Sequence, residues 1–306
     1  MVVTPEHQKL LKWATQASLI TALSLLGAKL VAWGFSGSVS VLASLIDSLM
    51  DGVASLINLL AVRYALQPAD DDHRFGHGKA ESLAGLGQAT FIAGSAAFLL
   101  LHSFDRLLHP RLLEHSNVAI GVMIFSLVAT SVLVVFQRYV IRQTHSVAIK
   151  ADSVHYLTDL LSNAGIILAI VLSVYGWSGF DPLFAIAIAL FIFYSAWQIG
   201  FEAVQHLLDR ELSEDVKNQI KTLVYSHPEI KGLHALRTRQ SGPTKMIQMH
   251  VEMDGGKTLT EAHRVADRIE REIEKAFPNS DVIIHQDPYL GGKSATAEPI
   301  PEQLQP

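Results

Sequence analysis

Long apolar stretches with almost no charge constrain this chain more than any other feature of its sequence. Each is about as long as a helix that crosses the ~30 Å hydrocarbon core of a bilayer, which needs about 20 residues. Four of them contain no Asp, Glu, Lys or Arg: 82–101, 117–137, 160–180 and 182–201. The sequence therefore predicts at least four membrane-spanning helices.

Two more apolar stretches carry a few charged residues. The stretch 13–35 contains Lys29 near its far end, and a lysine there is expected to reach the membrane interface. The stretch 39–66 contains Asp47 and Asp51 in its interior. Counting both, we predict a mostly α membrane protein with six transmembrane helices.

The composition agrees with a membrane protein and excludes several other classes. Charged residues make up 17% of the chain, against about 25% in an ordinary soluble domain. A hydrophobic content of 49% excludes a disordered chain, and the absence of cysteine excludes a disulfide scaffold. With a net charge of -5 and no dominant basic cluster, nucleic acid is not expected as a partner.

The distribution of Lys and Arg predicts the orientation, because cytoplasmic loops are enriched in these residues. Six spans place both termini on one side. That side carries Lys9, Lys12, Arg74, Lys79, Arg138, Arg142 and Lys150. The opposite side carries only Arg106 and Arg111. We therefore predict cytoplasmic termini, with a segment 1–12, a transmembrane domain 13–208 and a cytosolic domain 209–290.

The cytosolic part has the pattern of a small α/β domain. Amphipathic periodicity predicts helices and alternation predicts strands. In chain order the expected elements are a helix at 213–226, strands at 233–239 and 245–253, a helix at 259–277 and a strand at 281–286. This α-β-β-α-β order is typical of a metallochaperone-like fold, and the Gly-, Pro- and Gln-rich residues 291–306 are expected to be disordered.

Four titratable side chains lie where the membrane should exclude them. Asp47 and Asp51 are four residues apart and share a helix face, and the spacing recurs at His155 and Asp159. A carboxylate in a span costs at least ~2.5 kcal/mol, so such residues usually have a function. If the two faces meet, three carboxylates and one imidazole suit Zn²⁺ and similar ions. A polar network between helices and a proton relay without metal are the alternatives.

The same four side chains predict transport. Oxygen ligands and a single histidine release a metal more readily than thiolates, and a histidine must lose its proton to bind one. Metal and proton then compete for one site, as an antiporter requires. A membrane-anchored metal sensor without transport and an ion channel are the alternatives. An enzyme is not expected, since no nucleotide-binding loop or nucleophile motif is present.

Two further clusters have the composition of metal sites. Asp70, His73 and His77 follow one another closely in the loop after the second span, where an incidental acidic loop is an equally good interpretation. In the cytosolic domain, ligands from separate segments are positioned to hold two metals with a bridging carboxylate. These are His234, His250, His263, His285 and Asp287.

Several segments resemble the cation diffusion facilitator family. The longest runs from GSVSVLASLIDSLMDG to FGHGKAESLA (37–84), and four shorter ones are equally specific. These are ADSVHYLTD (151–159), FEAVQHLLDRELS (201–213), LRTRQSGPTKMIQMHVEMD (236–254) and DVIIHQDP (281–288). Together the resemblance covers about residues 13–288.

The resemblance implies a homodimer in the bacterial inner membrane that exchanges protons for cytoplasmic Zn²⁺, with Fe²⁺ and Cd²⁺ as further substrates. It implies a transport site at Asp47, Asp51, His155 and Asp159. It assigns the loop and cytosolic clusters to metal as well, the latter as a binuclear regulatory site. It also implies a salt-bridge interlock that involves Lys79 and Asp209.

Overall fold

The computed structural model describes residues 5–36, 39–108, 117–174 and 181–289, and these form two compact units. Residues 5–67 and 79–204 belong to the helical unit. Residues 68–78 and 205–289 belong to the sheet unit. The segment expected to be disordered, 291–306, lies outside the described residues.

The helical unit contains the six long helices that the apolar stretches predict. They are α1 (Pro5–Ser36), α2 (Val39–Ala65), α3 (Lys79–Leu108), α4 (Asn117–Thr144), α5 (Val147–Val174) and α6 (Asp181–Leu207). Within the described residues, α1, α2, α3, α4 and α6 qualify as membrane spans by length and hydropathy. Helix α5 has 28 residues, with several ionisable side chains in its first half and an apolar second half.

Helix α5 begins well before the stretch 160–180 that the sequence marked as a span. The backbone N–H of Ile149 donates to the Ser146 hydroxyl at 3.1 Å, which satisfies one of the free amides of the first turn. The polar residues that follow are helical because they find partners inside the unit. Tyr156 is one: its hydroxyl lies 2.9 Å from Ser55 Oγ of α2 and donates to the Ser18 carbonyl of α1.

Lys29 has acceptors on the neighbouring helix, and its position at the membrane interface stays a prediction. Its ammonium crosses from α1 to α2, where it donates to the Ser44 carbonyl oxygen at 3.1 Å and to the Ser48 hydroxyl. A lysine inside an apolar helix is stabilised when a neighbouring helix supplies acceptors. The charge is therefore held between two helices.

The sheet unit has the predicted α-β-β-α-β order. Its elements are α7 (Glu214–Tyr225), β1 (Ile230–Ser241), β2 (Thr244–Asp254), α8 (Leu259–Ala276) and β3 (Ser280–Tyr289). Strand β2 is central, antiparallel to β1 and parallel to β3. The prediction of apolar helices followed by a small α/β domain is confirmed.

One face of the sheet forms the core of this unit, and the opposite face is left for polar side chains. Met249 and Val251 of β2 pack in one cluster with Val265 and Ile269 of α8, as the periodicity of that helix predicts. Because side chains alternate along a strand, the neighbouring residues of β2 point away from the helices. Those residues include His250 and Glu252.

Candidate metal centres

The first candidate centre lies in the helical unit, between α2 and α5. Asp51, His155 and Asp159 each offer a ligand atom within 4.8 Å of the others. His155 Nε2 lies 3.1 Å from Asp51 Oδ1. Asp51 and His155 are 8% and 6% exposed, so little water reaches them. The structure therefore brings together three of the four side chains that the sequence predicts here.

Asp47 lies outside this group. It is on α2 one turn before Asp51, and its side chain is exposed in the isolated unit. The i, i+4 spacing places both carboxylates on one helix face, but only Asp51 meets α5 in this conformation. Its role as a ligand stays a prediction.

The donors of this group have the chemistry and the spacing of metal ligands. Within the described residues, His155 Nε2 is buried without an aligned hydrogen-bond partner, although Asp51 Oδ1 is close. A nitrogen and an oxygen ~3.3 Å apart, both directed at one point, are what a tetrahedral ion with ~2.0 Å bonds requires. The observed 3.1 Å separation matches that requirement.

The second candidate centre is the loop of the sheet unit, 68–78. The Asp70 carboxylate contacts both histidines of the loop. Its Oδ1 lies 3.2 Å from His73 Nδ1, and its Oδ2 lies 3.1 Å from His77 Nε2. The backbone N–H of His73 donates to the Asp70 carboxylate, and this bond lowers the pKa of Asp70. The carboxylate is thus kept ionised, the form that binds metal. His77 is buried, whereas Asp70 and His73 are exposed and open to an ion from solvent.

The third candidate centre lies on the polar face of the sheet and follows from strand register. His234, His250 and His285 are register neighbours across β1, β2 and β3 and form a row. The next row of the same face contains Glu252 and Asp287. Ala235, directly after His234, has a φ of +51° at a register shift in β1, a strained bulge of the kind that re-aims side chains at functional sites.

Asp287 contacts all three histidines of the row. Its Oδ2 lies 3.3 Å from His234 Nε2 and 3.0 Å from His250 Nδ1. Its Oδ1 lies 3.3 Å from His285 Nε2. One carboxylate with imidazoles on both of its oxygens has the arrangement of a bridging ligand between two metal ions.

The sequence profiles of known families match both units. The cation efflux transmembrane domain matches residues 15–208. This chain belongs to the cation efflux family. The cytoplasmic domain of cation efflux proteins matches residues 212–289. The family predicted from the sequence is confirmed, and it is a family of transporters rather than enzymes.

Two relatives agree with this membership, and part of the chain is similar to a solved structure. The cation-efflux pump FieF of Salmonella arizonae is 52% identical over 282 residues, which cover 92% of this chain and 94% of the relative. FieF of Salmonella choleraesuis matches with the same identity and coverage. The metal-bound C-terminal domain of the CzcD transporter from Thermotoga maritima is 28% identical, with a TM-score of 0.25, over 27% of this chain and 99% of that one.

Besides Asp47, three more of the predicted site residues lie outside the groups described above. His263 is exposed on α8, a helix that packs against the opposite face of the sheet. Asp209 accepts from Arg239 at 3.1 Å within the sheet unit. Lys79 begins α3 in the helical unit. The ligand role of His263 and the interlock between Lys79 and Asp209 stay predictions.

Glu252 lies beside the sheet centre of this cation efflux protein but is not among the ligands that the sequence predicts there. Its Oε1 lies 3.2 Å from His234 Nδ1, and the residue is 7% exposed. A Cβ added at Gly232, its register partner, would lie 2.6 Å from Glu252 Oε2, so a larger residue there would require the carboxylate to shift. The signal was available, because Glu252 shares the strand face of His250 two residues earlier.

Proposed function

We propose that this cation efflux protein exports Zn²⁺ from the cytoplasm in exchange for protons. The observation that carries the proposal is the convergence of Asp51, His155 and Asp159 from two helices inside an apolar unit. Asp47 completes the site as a fourth ligand. One imidazole with three carboxylates favours zinc, and Fe²⁺ and Cd²⁺ are further substrates of the same donor set.

Exchange follows from the chemistry of His155. The imidazole binds a metal only when its Nε2 carries no proton, so a proton that arrives from outside expels the metal. The helices that carry the site then alternate between access from the two sides of the membrane. A ligand shifts such an equilibrium only by its differential affinity for the two states, and here metal and proton favour opposite ones.

The loop and sheet centres act as regulatory zinc sites. Both belong to the sheet unit, of which residues 212–289 match the family's cytoplasmic domain, and on this ground we expect both to sample cytoplasmic metal. We assign the chain to the bacterial inner membrane as a homodimer with cytoplasmic termini. Metal binding in the sheet unit would bias the conformation of the dimer and so adjust export to the metal supply.

The decisive test of the site is zinc uptake by purified protein in proteoliposomes. Asp51→Ala and Asp47→Ala are each expected to reduce uptake to the level of empty vesicles, because each removes a ligand from the transported ion. Asp215→Ala, an exposed carboxylate on α7, is the matched control and should transport like the wild type. Uptake at the wild-type rate in the Asp51 variant would refute the assignment.

A further inference from the structure

Lys29 places a positive charge beside the candidate transport site. It is half-buried on α1, and its ammonium donates to acceptors on α2, at Ser44 and Ser48. A lysine within a span is costly, and such residues usually serve a substrate or ion pathway. Simple anchoring of two helices would need no charge.

The acceptors of Lys29 belong to the turn of α2 that carries the site carboxylates. Ser48 follows Asp47 directly and precedes Asp51 by three residues, and it is 1% exposed. Ser44, Asp47 and Ser48 share one face of α2, so the ammonium that is bonded to the two serines lies beside Asp47. The ammonium therefore lies at the end of the site where Asp47 stands apart from the other three residues.

We propose that Lys29 is the counter-charge of Asp47 in the metal-free carrier, a tethered cation that the transported metal must displace. The proposal rests on Asp47 being a ligand of the transport site. An ammonium beside Asp47 competes electrostatically with the dication for that carboxylate, so Lys29 lowers the metal affinity of the site. Because it is tethered, it stays close while the metal is bound and so favours release.

The test compares Zn²⁺ binding to the purified full-length chain by competition with a fluorescent chelator. The share of binding that Asp51→Ala removes defines the membrane site. Lys29→Gln keeps a donor for the two serines but removes the charge, and it is expected to lower the Kd of that site about three- to tenfold. In zinc uptake the same variant should show a lower KM together with a lower kcat, because release is slowed.

Further variants test whether the effect belongs to the charge of Lys29. Lys29→Arg keeps the charge and should behave like the wild type, as should Lys12→Gln, an exposed lysine on the same helix. In an Asp47→Asn background, Lys29→Gln should have no further effect, since the two charges act on each other. Lys29→Leu, which suits an apolar helix, takes the place of the glutamine variant if that one does not fold.

The outcomes separate this inference from the proposed function. If the wild type shows no zinc binding that depends on Asp51, the proposed function fails. If that binding is present but Lys29→Gln leaves its Kd unchanged or raises it, the counter-charge is refuted while the transport site stands.

Discussion

His155 is the only nitrogen donor among the four side chains assigned to the membrane site. Its Nε2 lies 3.1 Å from Asp51 Oδ1, and its ring packs edge-on against Phe91 with 6.0 Å between the ring centroids. An imidazole favours zinc over ions that prefer oxygen ligands alone. The identity of this one residue should therefore set the metal preference.

His155→Asp converts the site to oxygen ligands only. We expect zinc uptake to fall and the ratio of manganese to zinc uptake to rise, because carboxylates suit Mn²⁺. His145→Asp, an exposed histidine just before α5, is the matched control. An unchanged ratio in the His155 variant would show that this residue does not select the metal.

Glu252 is positioned to act on a metal through His234. Its carboxylate lies beside His234 Nδ1, the nitrogen remote from Asp287, and a hydrogen bond there would leave Nε2 free to bind. Partners of this kind change metal affinity about 10- to 100-fold. Glu252→Gln is expected to weaken zinc binding at the sheet centre by about tenfold, as measured by calorimetric titration of the full chain.

The control for that variant is Glu274→Gln, which removes an exposed carboxylate from α8 in the same unit. If both variants bind zinc alike, Glu252 has no part in the site. Its position was within reach of the sequence, since it alternates with His250. Its contact with His234 was not, because that depends on the register of β1 against β2.

At the scale of elements, a buried carboxylate joins three helices. Asp152 of α5 is fully buried, with Oδ1 accepting from Gln88 Nε2 of α3 at 3.0 Å and Oδ2 from Gln137 Nε2 of α4 at 2.6 Å. It precedes His155 by three positions, so the two lie on adjacent parts of one helix face. The contact fixes the part of α5 that carries the site.

Asp152→Ala would leave two buried amides without an acceptor. Each bond of this type contributes about 1.5–3 kcal/mol when one partner is charged, so we expect the unfolding midpoint in detergent to fall by several degrees. Asp152→Asn keeps one carbonyl acceptor and should lose less. Equal melting temperatures for the wild type and the alanine variant would contradict the stabilising role.

The elements themselves could largely be predicted from the sequence, because apolar runs and alternation are local properties. The beginning of α5 could not be predicted in this way. Its first turns read as polar, and they are helical only because residues such as Asp152 and Tyr156 find partners on other helices. The contacts of Lys29 could not be predicted either, because its acceptors lie on another helix, α2.

At the scale of the whole molecule, the sequence pattern predicted which residues belong to the membrane site. Only the fold shows which of them meet. The two i, i+4 pairs predict that α2 and α5 are the helices that carry the membrane site. That Asp51 joins His155 and Asp159 while Asp47 stays apart depends on how these helices cross. The same holds for the sheet centre, where the register of three strands makes a row of scattered histidines.

Coupled movement of zinc and protons is the central claim about the molecule. The most direct measurement is zinc uptake into proteoliposomes that carry a pH-sensitive dye, with the pH of the lumen set independently. We expect saturable uptake that is faster when the lumen is more acidic, together with proton efflux that stops when zinc is withheld. Uptake at the same rate without a pH gradient, and without proton movement, would contradict the account.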